Sequence, residues 1–131
     1  GIRTGICKDL HFMLDWQHYC LTLDQPEKID FSKEWYPGHP AFYAFDFNLE
    51  MKALKDTYLD LTDFGKGVAF VNGVNIGRFW NVGPTLSLYI PHGLLQEGAN
   101  RIIIFETEGE FKDSIHLVNQ PTFKNIKGEN L

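Results

Sequence analysis

The sequence predicts an all-β fold, an antiparallel β-sandwich of jelly-roll type. Three observations carry this. Short runs rich in β-branched and aromatic residues alternate apolar and polar positions with period two. Turn signals recur roughly every 8–12 residues, separating about eight to ten short strands. No apolar pattern of helical period has any length. The 131 residues and 15% aromatic content suit one domain with a real core.

Gly65 to Trp80 carries the strongest local signal. Val68 to Val71 is an apolar run, Asn72-Gly73 follows at once, and a second run begins at Val74. Asn-Gly between such runs specifies a type I′ hairpin, because both central residues need positive φ. Strands are therefore predicted at 67–71 and 74–80. Gly77 lies inside the second, where glycine marks a bulge or a close backbone approach. Beyond it come Arg78, Phe79 and Trp80, a cation with two large aromatics, before Gly83-Pro84 ends the strand.

The other elements follow in order. Thr4 to Lys8 and Phe12 to Leu23 read as leading strands, within residues 1–25. Residues 29–40 hold Pro37, Gly38 and Pro40 with the aromatics Trp35 and Tyr36, and form the longest irregular segment. Long loops in compact domains are disproportionately functional. Phe42 to Leu49 is a strand in which Phe42, Ala44 and Phe45 or Phe47 compete for the core face. Glu50 to Asp56 connects it to a strand at Thr57 to Leu61, with Leu59 and Leu61 inward. Thr62 to Lys66 turns into the hairpin. Thr85 to Ile90 alternates, with Leu86, Leu88 and Ile90 inward and Thr85, Ser87 and Tyr89 outward. Pro91 to Leu95 makes one helical turn and Gln96 to Asn100 the next turn. Ile102 to Phe105 is apolar on both faces and is placed as a central, covered strand. Ser114 to Val118 is the last strand. Residues 1–118 form one domain and 119–131 a polar tail.

Composition narrows the partners. A net charge of −5 disfavours nucleic acid and anionic membrane surfaces. No apolar run approaches the ~20 residues of a membrane helix. Residues 1–20 show no signal peptide, a slight tilt toward the cytoplasm in a chain that opens without Met and reads as a fragment. Cys7 and Cys20 are expected as reduced, largely buried thiols, with a single disulfide between them the alternative. The five histidines show no metal spacing, and loop Asp and Asn residues leave only structural calcium open. No cofactor fingerprint, phosphate-cradling loop or Ser-His-Asp arrangement is present.

Glu106, Glu108 and Glu110 are spaced as one strand face, but solvated like charges at a strand end explain them. Asp60 and Asp63 fit turn chemistry. The remaining candidates are aromatic: Trp35, Tyr36, Arg78, Phe79, Trp80 and Asn81. Rings stack on sugar C–H faces while Arg and Asn meet hydroxyls. Phe79 and Trp80 serve equally well as core or interdomain packing, and Arg78 as an ion-pair partner across an interface.

The run from Gly65 to Pro91, followed by Leu95 to Glu106 and joined by Pro40-Ala-Phe-Tyr43, resembles the C-terminal region of β-galactosidases of glycoside hydrolase family 35. The resemblance covers roughly residues 1–107 and is densest over 40–106. It implies a galactose-binding-domain-like sandwich in a parent that hydrolyses terminal β-galactosides. That retaining chemistry needs two carboxyl groups about 5–5.5 Å apart. In the family both are glutamates of an N-terminal (β/α)8 barrel, which this chain is far too short to contain. No catalytic role carries over to any residue here. The implied role is packing against that barrel and a preceding sandwich of the same parent. Recognition of galactosides by an independent carbohydrate-binding module is the alternative, and an enzyme in its own right a distant third.

Overall fold

The hairpin forms as its turn chemistry requires. In the computed structural model, which describes residues 2–20 and 22–125, strand β5 (Lys66–Val71) pairs with β6 (Val74–Trp80) around Asn72 and Gly73, at φ 47° and 83°. The register slips by one residue opposite Ala69 and Phe70, and Gly77 sits at φ 128°. This is the bulge that Gly77 predicts. Because strand side chains alternate faces, the extra residue inverts every position beyond it. Phe79 consequently faces the core, while Arg78 and Trp80 face outward.

The other strands are β1 (Cys7–Lys8), β2 (His11–Phe12), β3 (Ala41–Leu49), β4 (Thr57–Asp60), β7 (Ser87–Ile90), β8 (Gly98–Glu106) and β9 (His116–Val118). One sheet has the order β3-β8-β5-β6, the second β7-β4-β9, and β1-β2 form a small separate ribbon. All pairs are antiparallel. The chain changes sheet at nearly every connection, as a jelly roll does. Leu59 and Ile90 of the second sheet meet Ala69, Val71, Phe79, Ile102 and Ile104 of the first, with Leu61, Phe64 and Leu95 closing the core. Helical structure among the described residues is limited to single turns at Pro26–Lys28, Met51–Ala53 and His92–Leu94. None is long and apolar enough to cross a membrane.

Strand β8 is central, between β3 and β5. Its both-sided apolarity has a cause. Ile102 and Ile104 face the core, while Ile103 and its partner Phe70 face away and are still only 3% exposed each. Both faces of β8 are thus shielded from water. Pro26 is also fully buried, and next to it a Glu27 oxygen lies 3.8 Å from the Cβ position of Gly73, which brings this segment up to the hairpin turn.

Several expectations are corrected. Residues 13–20 join no strand, so Phe12 to Leu23 is not a leading strand. The chain turns at Asp9, Leu10 and Asp15, all with positive φ, and only β1 and β2 pair. With no core beneath this ribbon, Cys7 and Cys20 are exposed free thiols rather than buried ones. In β3 the pairing of Tyr43 with Ile104 and Phe45 with Ile102 turns Tyr43, Phe45 and Phe47 inward and Phe42 and Ala44 outward. Ser87 is buried, its Oγ accepting the Thr122 N–H at 2.9 Å. The tail also pairs, with Phe123 bridging Thr85. Residues 126–131 of it lie outside the described residues. Strand β8 begins at Gly98, so Asn100, read as turn, is a buried strand residue.

Candidate functional site

The candidate residues fall into two groups on opposite edges of the four-stranded sheet. Trp35 and Tyr36 lie by edge strand β3, and Arg78 and Trp80 on edge strand β6, with β8 and β5 between. At ~4.8 Å per strand spacing the edges are about 14 Å apart.

The first group lines a cleft of about 410 Å³ bounded by Phe31, Glu34, Trp35, Tyr36, His39, Phe42 and Phe111. Trp35 is anchored. Its indole N–H donates to the Tyr43 hydroxyl at 2.8 Å, and its ring lies 4.7 Å from that of Phe111. Tyr43 is itself held by the Ile104 pairing and packs on Phe111 at 5.5 Å. Tyr36 is freer, 60% exposed, and donates its hydroxyl hydrogen to Glu34 at 2.5 Å. That hydrogen bond raises the Tyr36 pKa, because ionising the phenol would lose it and face a carboxylate. Asp30 accepts from the Ser32 hydroxyl and backbone N–H, which lower its pKa. The cleft thus offers apolar ring surface beside carboxylate acceptors, a combination suited to a pyranose.

The second group loses one member. Phe79, expected among the contact residues, is a core side chain at 4% exposure, its ring 6.0 Å from Phe64 at 70°. Arg78 and Trp80 remain outward. Lys66, absent from the sequence candidates, pairs directly with Trp80 and places its Nζ 4.6 Å from the ring centroid. The Arg78 guanidinium stands 5.6 Å from the same centroid. Asn81 is tied by its backbone: its N–H donates to the Gly65 carbonyl, and its own carbonyl accepts from Lys124 Nζ.

Glu106 is not a solvated strand end. It is fully buried, and its carboxylate accepts backbone N–H groups of Lys66, Glu108, Gly109 and Glu110 at 2.6–3.2 Å. A buried carboxylate persists where donors replace its lost water. This one fixes the 107–110 turn against β5 and so sets Phe111 beneath Trp35. Asp60 caps its own turn by accepting from the Thr62 N–H. Among the described residues, no group of three or more His, Cys, Asp or Glu converges on a metal-sized site.

Residues 40–100 match the family model for the galactose-binding domain of β-galactosidase. Similar proteins include β-galactosidase 17 of Arabidopsis thaliana, 42% identical over 89 residues, 66% of this chain and 13% of that protein. β-Galactosidase 1 of Dictyostelium discoideum is 36% identical over 129 residues, 91% of this chain and 19% of that protein. The β-galactosidase-1-like protein 2 of Homo sapiens is 43% identical over 70 residues, 53% of this chain and 11% of that protein. The chain therefore spans only a small part of these relatives. The fold, the matched segment and these identities agree: the chain is a domain region of the glycoside hydrolase family 35 β-galactosidases, and it carries their galactose-binding domain.

Proposed function

We propose that the chain is a non-catalytic accessory domain of a longer β-galactosidase, packing against the (β/α)8 catalytic barrel and a preceding β-sandwich of the same parent. The observation that carries this is the ribbon at residues 2–20. Leu10 is 98% exposed, Leu14 80%, Tyr19 74% and Phe12 68%. Each large apolar side chain left in water forgoes roughly 1.5–3 kcal/mol of burial. So many in one short segment mark a surface that belongs against another. The non-catalytic part rests on the carboxylates. Glu106 is buried and engaged by backbone donors, and Asp30 and Glu34 in the cleft are held by Ser32 and Tyr36.

The chain alone, assayed on a chromogenic β-galactoside, is expected to show no turnover. In the full-length parent, Leu10→Asp with Phe12→Asp is expected to lower the melting temperature. Turnover by the isolated chain that disappears when Glu106 or Glu108 is changed would refute the proposal.

The cleft favours a second reading, a carbohydrate-binding module. Galactose or lactose titrated into the chain would then give saturable quenching of tryptophan fluorescence that Tyr36→Ala abolishes. An unchanged signal removes this reading.

A further inference from the structure

We infer that Lys66, Arg78 and Trp80 form a cradle for a carboxylate side chain carried by another domain of the parent protein. This rests on the accessory reading above.

The three side chains rise from one face. Lys66 lies directly opposite Trp80, and Arg78 precedes Trp80 by two positions, opposite Val68. Both cations stand over the indole, at 4.6 and 5.6 Å from its centroid. Neither takes part in an ion pair among the described residues, where the pairs are Glu50–Lys52, Asp56–His92 and Asp46–Arg101. Glu108 approaches this corner, its Oε2 3.3 Å from the Cβ position of Gly65, yet it is not paired with Lys66 either. In a chain of net charge −5, two cations that converge on one ring and enter no ion pair among the described residues are an unusual local arrangement.

Ligand chemistry follows from this arrangement. With two cations drawn onto it, the Trp80 ring is a poor bare platform for a sugar's C–H face. The cations are instead pre-oriented by the ring, which reduces the entropy lost when they bind an anion. Arg presents a planar fork suited to a bidentate carboxylate, and Lys a point charge beside it. The same outward face continues through Val68 to Phe105, whose ring stacks on Phe42 at 4.3 Å. These three are only half-buried. A half-covered apolar row beside an Arg–Trp pair has the make-up of a protein interface, with the charge pair as its anchor. Charge complementarity therefore assigns an acidic side chain of a neighbouring domain as the occupant.

The experiment is thermal unfolding of the full-length parent carrying Lys66→Glu with Arg78→Glu, at low and high salt. The expected result is a melting temperature several degrees lower at low salt, a gap that narrows as salt rises. Reversing one acidic residue of the neighbouring domain to Lys should restore it. In the 131-residue chain alone the same double change should leave the melting temperature nearly unchanged. A parent that ignores the double change while Leu10→Asp with Phe12→Asp still destabilises it would overturn the cradle and leave the accessory reading standing. If neither pair of changes matters, both fall. An equal loss in the isolated chain would show that the cations serve their own fold and would overturn the cradle. So would saturable binding of polygalacturonate to the chain that the double change abolishes, because the occupant would then be an acidic glycan.

Discussion

Gly109 stands against the backbone of Gly38, so close that a Cβ on Gly109 would lie 2.4 Å from the Gly38 carbonyl carbon. This contact joins the turn after β8 to the loop at residues 29–40. It is what lets Trp35 reach Phe111. Gly109 also holds φ 81°, where a side chain is strained in any surroundings.

Gly109→Ala is therefore expected to cost about 2–4 kcal/mol, strain and clash together. Gly38→Ala is the control. Gly38 has φ 77° but open space around its Cβ position, so only strain applies, about 1 kcal/mol. Urea denaturation of both variants checks the order. Tryptophan emission of the Gly109 variant should shift to the red as Trp35 leaves Phe111. Equal costs for the two would show that the backbone contact is not tight.

Glu106→Gln should destabilise the domain by about 2–4 kcal/mol despite being nearly isosteric. One carboxylate oxygen becomes an NH2 group that must face backbone N–H donors, leaving them unpaired. Hydrogen exchange should quicken at the amides of Glu108, Gly109 and Glu110, which donate to this carboxylate. A variant as stable as the parent sequence would mean that water substitutes readily at this site.

Asn100 bridges the Asn72 turn and the 96–98 segment. Its Oδ1 accepts from Asn72 Nδ2 and the Gln96 N–H, and its Nδ2 donates to the Gln96 and Gly98 carbonyls. It is 3% exposed, so Asn100→Ala strands these groups. A loss of about 2–3 kcal/mol is expected, read from the midpoint of a denaturant melt. Asn72→Ala removes fewer buried bonds but also the residue suited to φ 47°, and should cost less.

Acid stability should carry a specific signature. The Asp46 carboxyl is held below its ordinary 3.8 by hydrogen bonds from the Arg101 guanidinium. Asp56 is held below the same value by the His92 backbone N–H, then by the Tyr89 hydroxyl and the His92 ring. A depressed folded-state pKa stabilises above the unfolded value, and the gain disappears as pH falls through the folded one. Melting temperature should thus drop more steeply below about pH 4 in the unaltered chain than in Asp46→Asn with Asp56→Asn, the two curves converging in acid. Parallel curves would show that neither pairing survives in solution. Both groups are exposed, so the effect should be small and weaken with salt.

Local chemistry was enough to read the central strands, though not the leading segment after Phe12, the start of β8 at Gly98 or the bridge at Phe123. Asn72-Gly73 can hardly make anything but a I′ turn, the bulge announced itself in Gly77, and the Ile102 to Phe105 run has no polar face to offer water. Strand order was another matter. Nothing in the spacing of Trp35 and Trp80 tells that they occupy opposite edges of one sheet, because pairing partners such as Tyr43 and Ile104 lie far apart in sequence. Register across those distant pairs decided that Tyr43 rather than Phe42 faces inward. The bulge decided that Phe79 joins the core while Lys66 meets Trp80. Glu106 shows the same division: its spacing with Glu108 and Glu110 suggested a wet strand end, and only folding brought the backbone donors that bury it. Periodicity is a property of neighbours along the chain and can be read from them. Burial and the pairing of charges depend on which distant segments arrive, and those were fixed only when the two sheets closed.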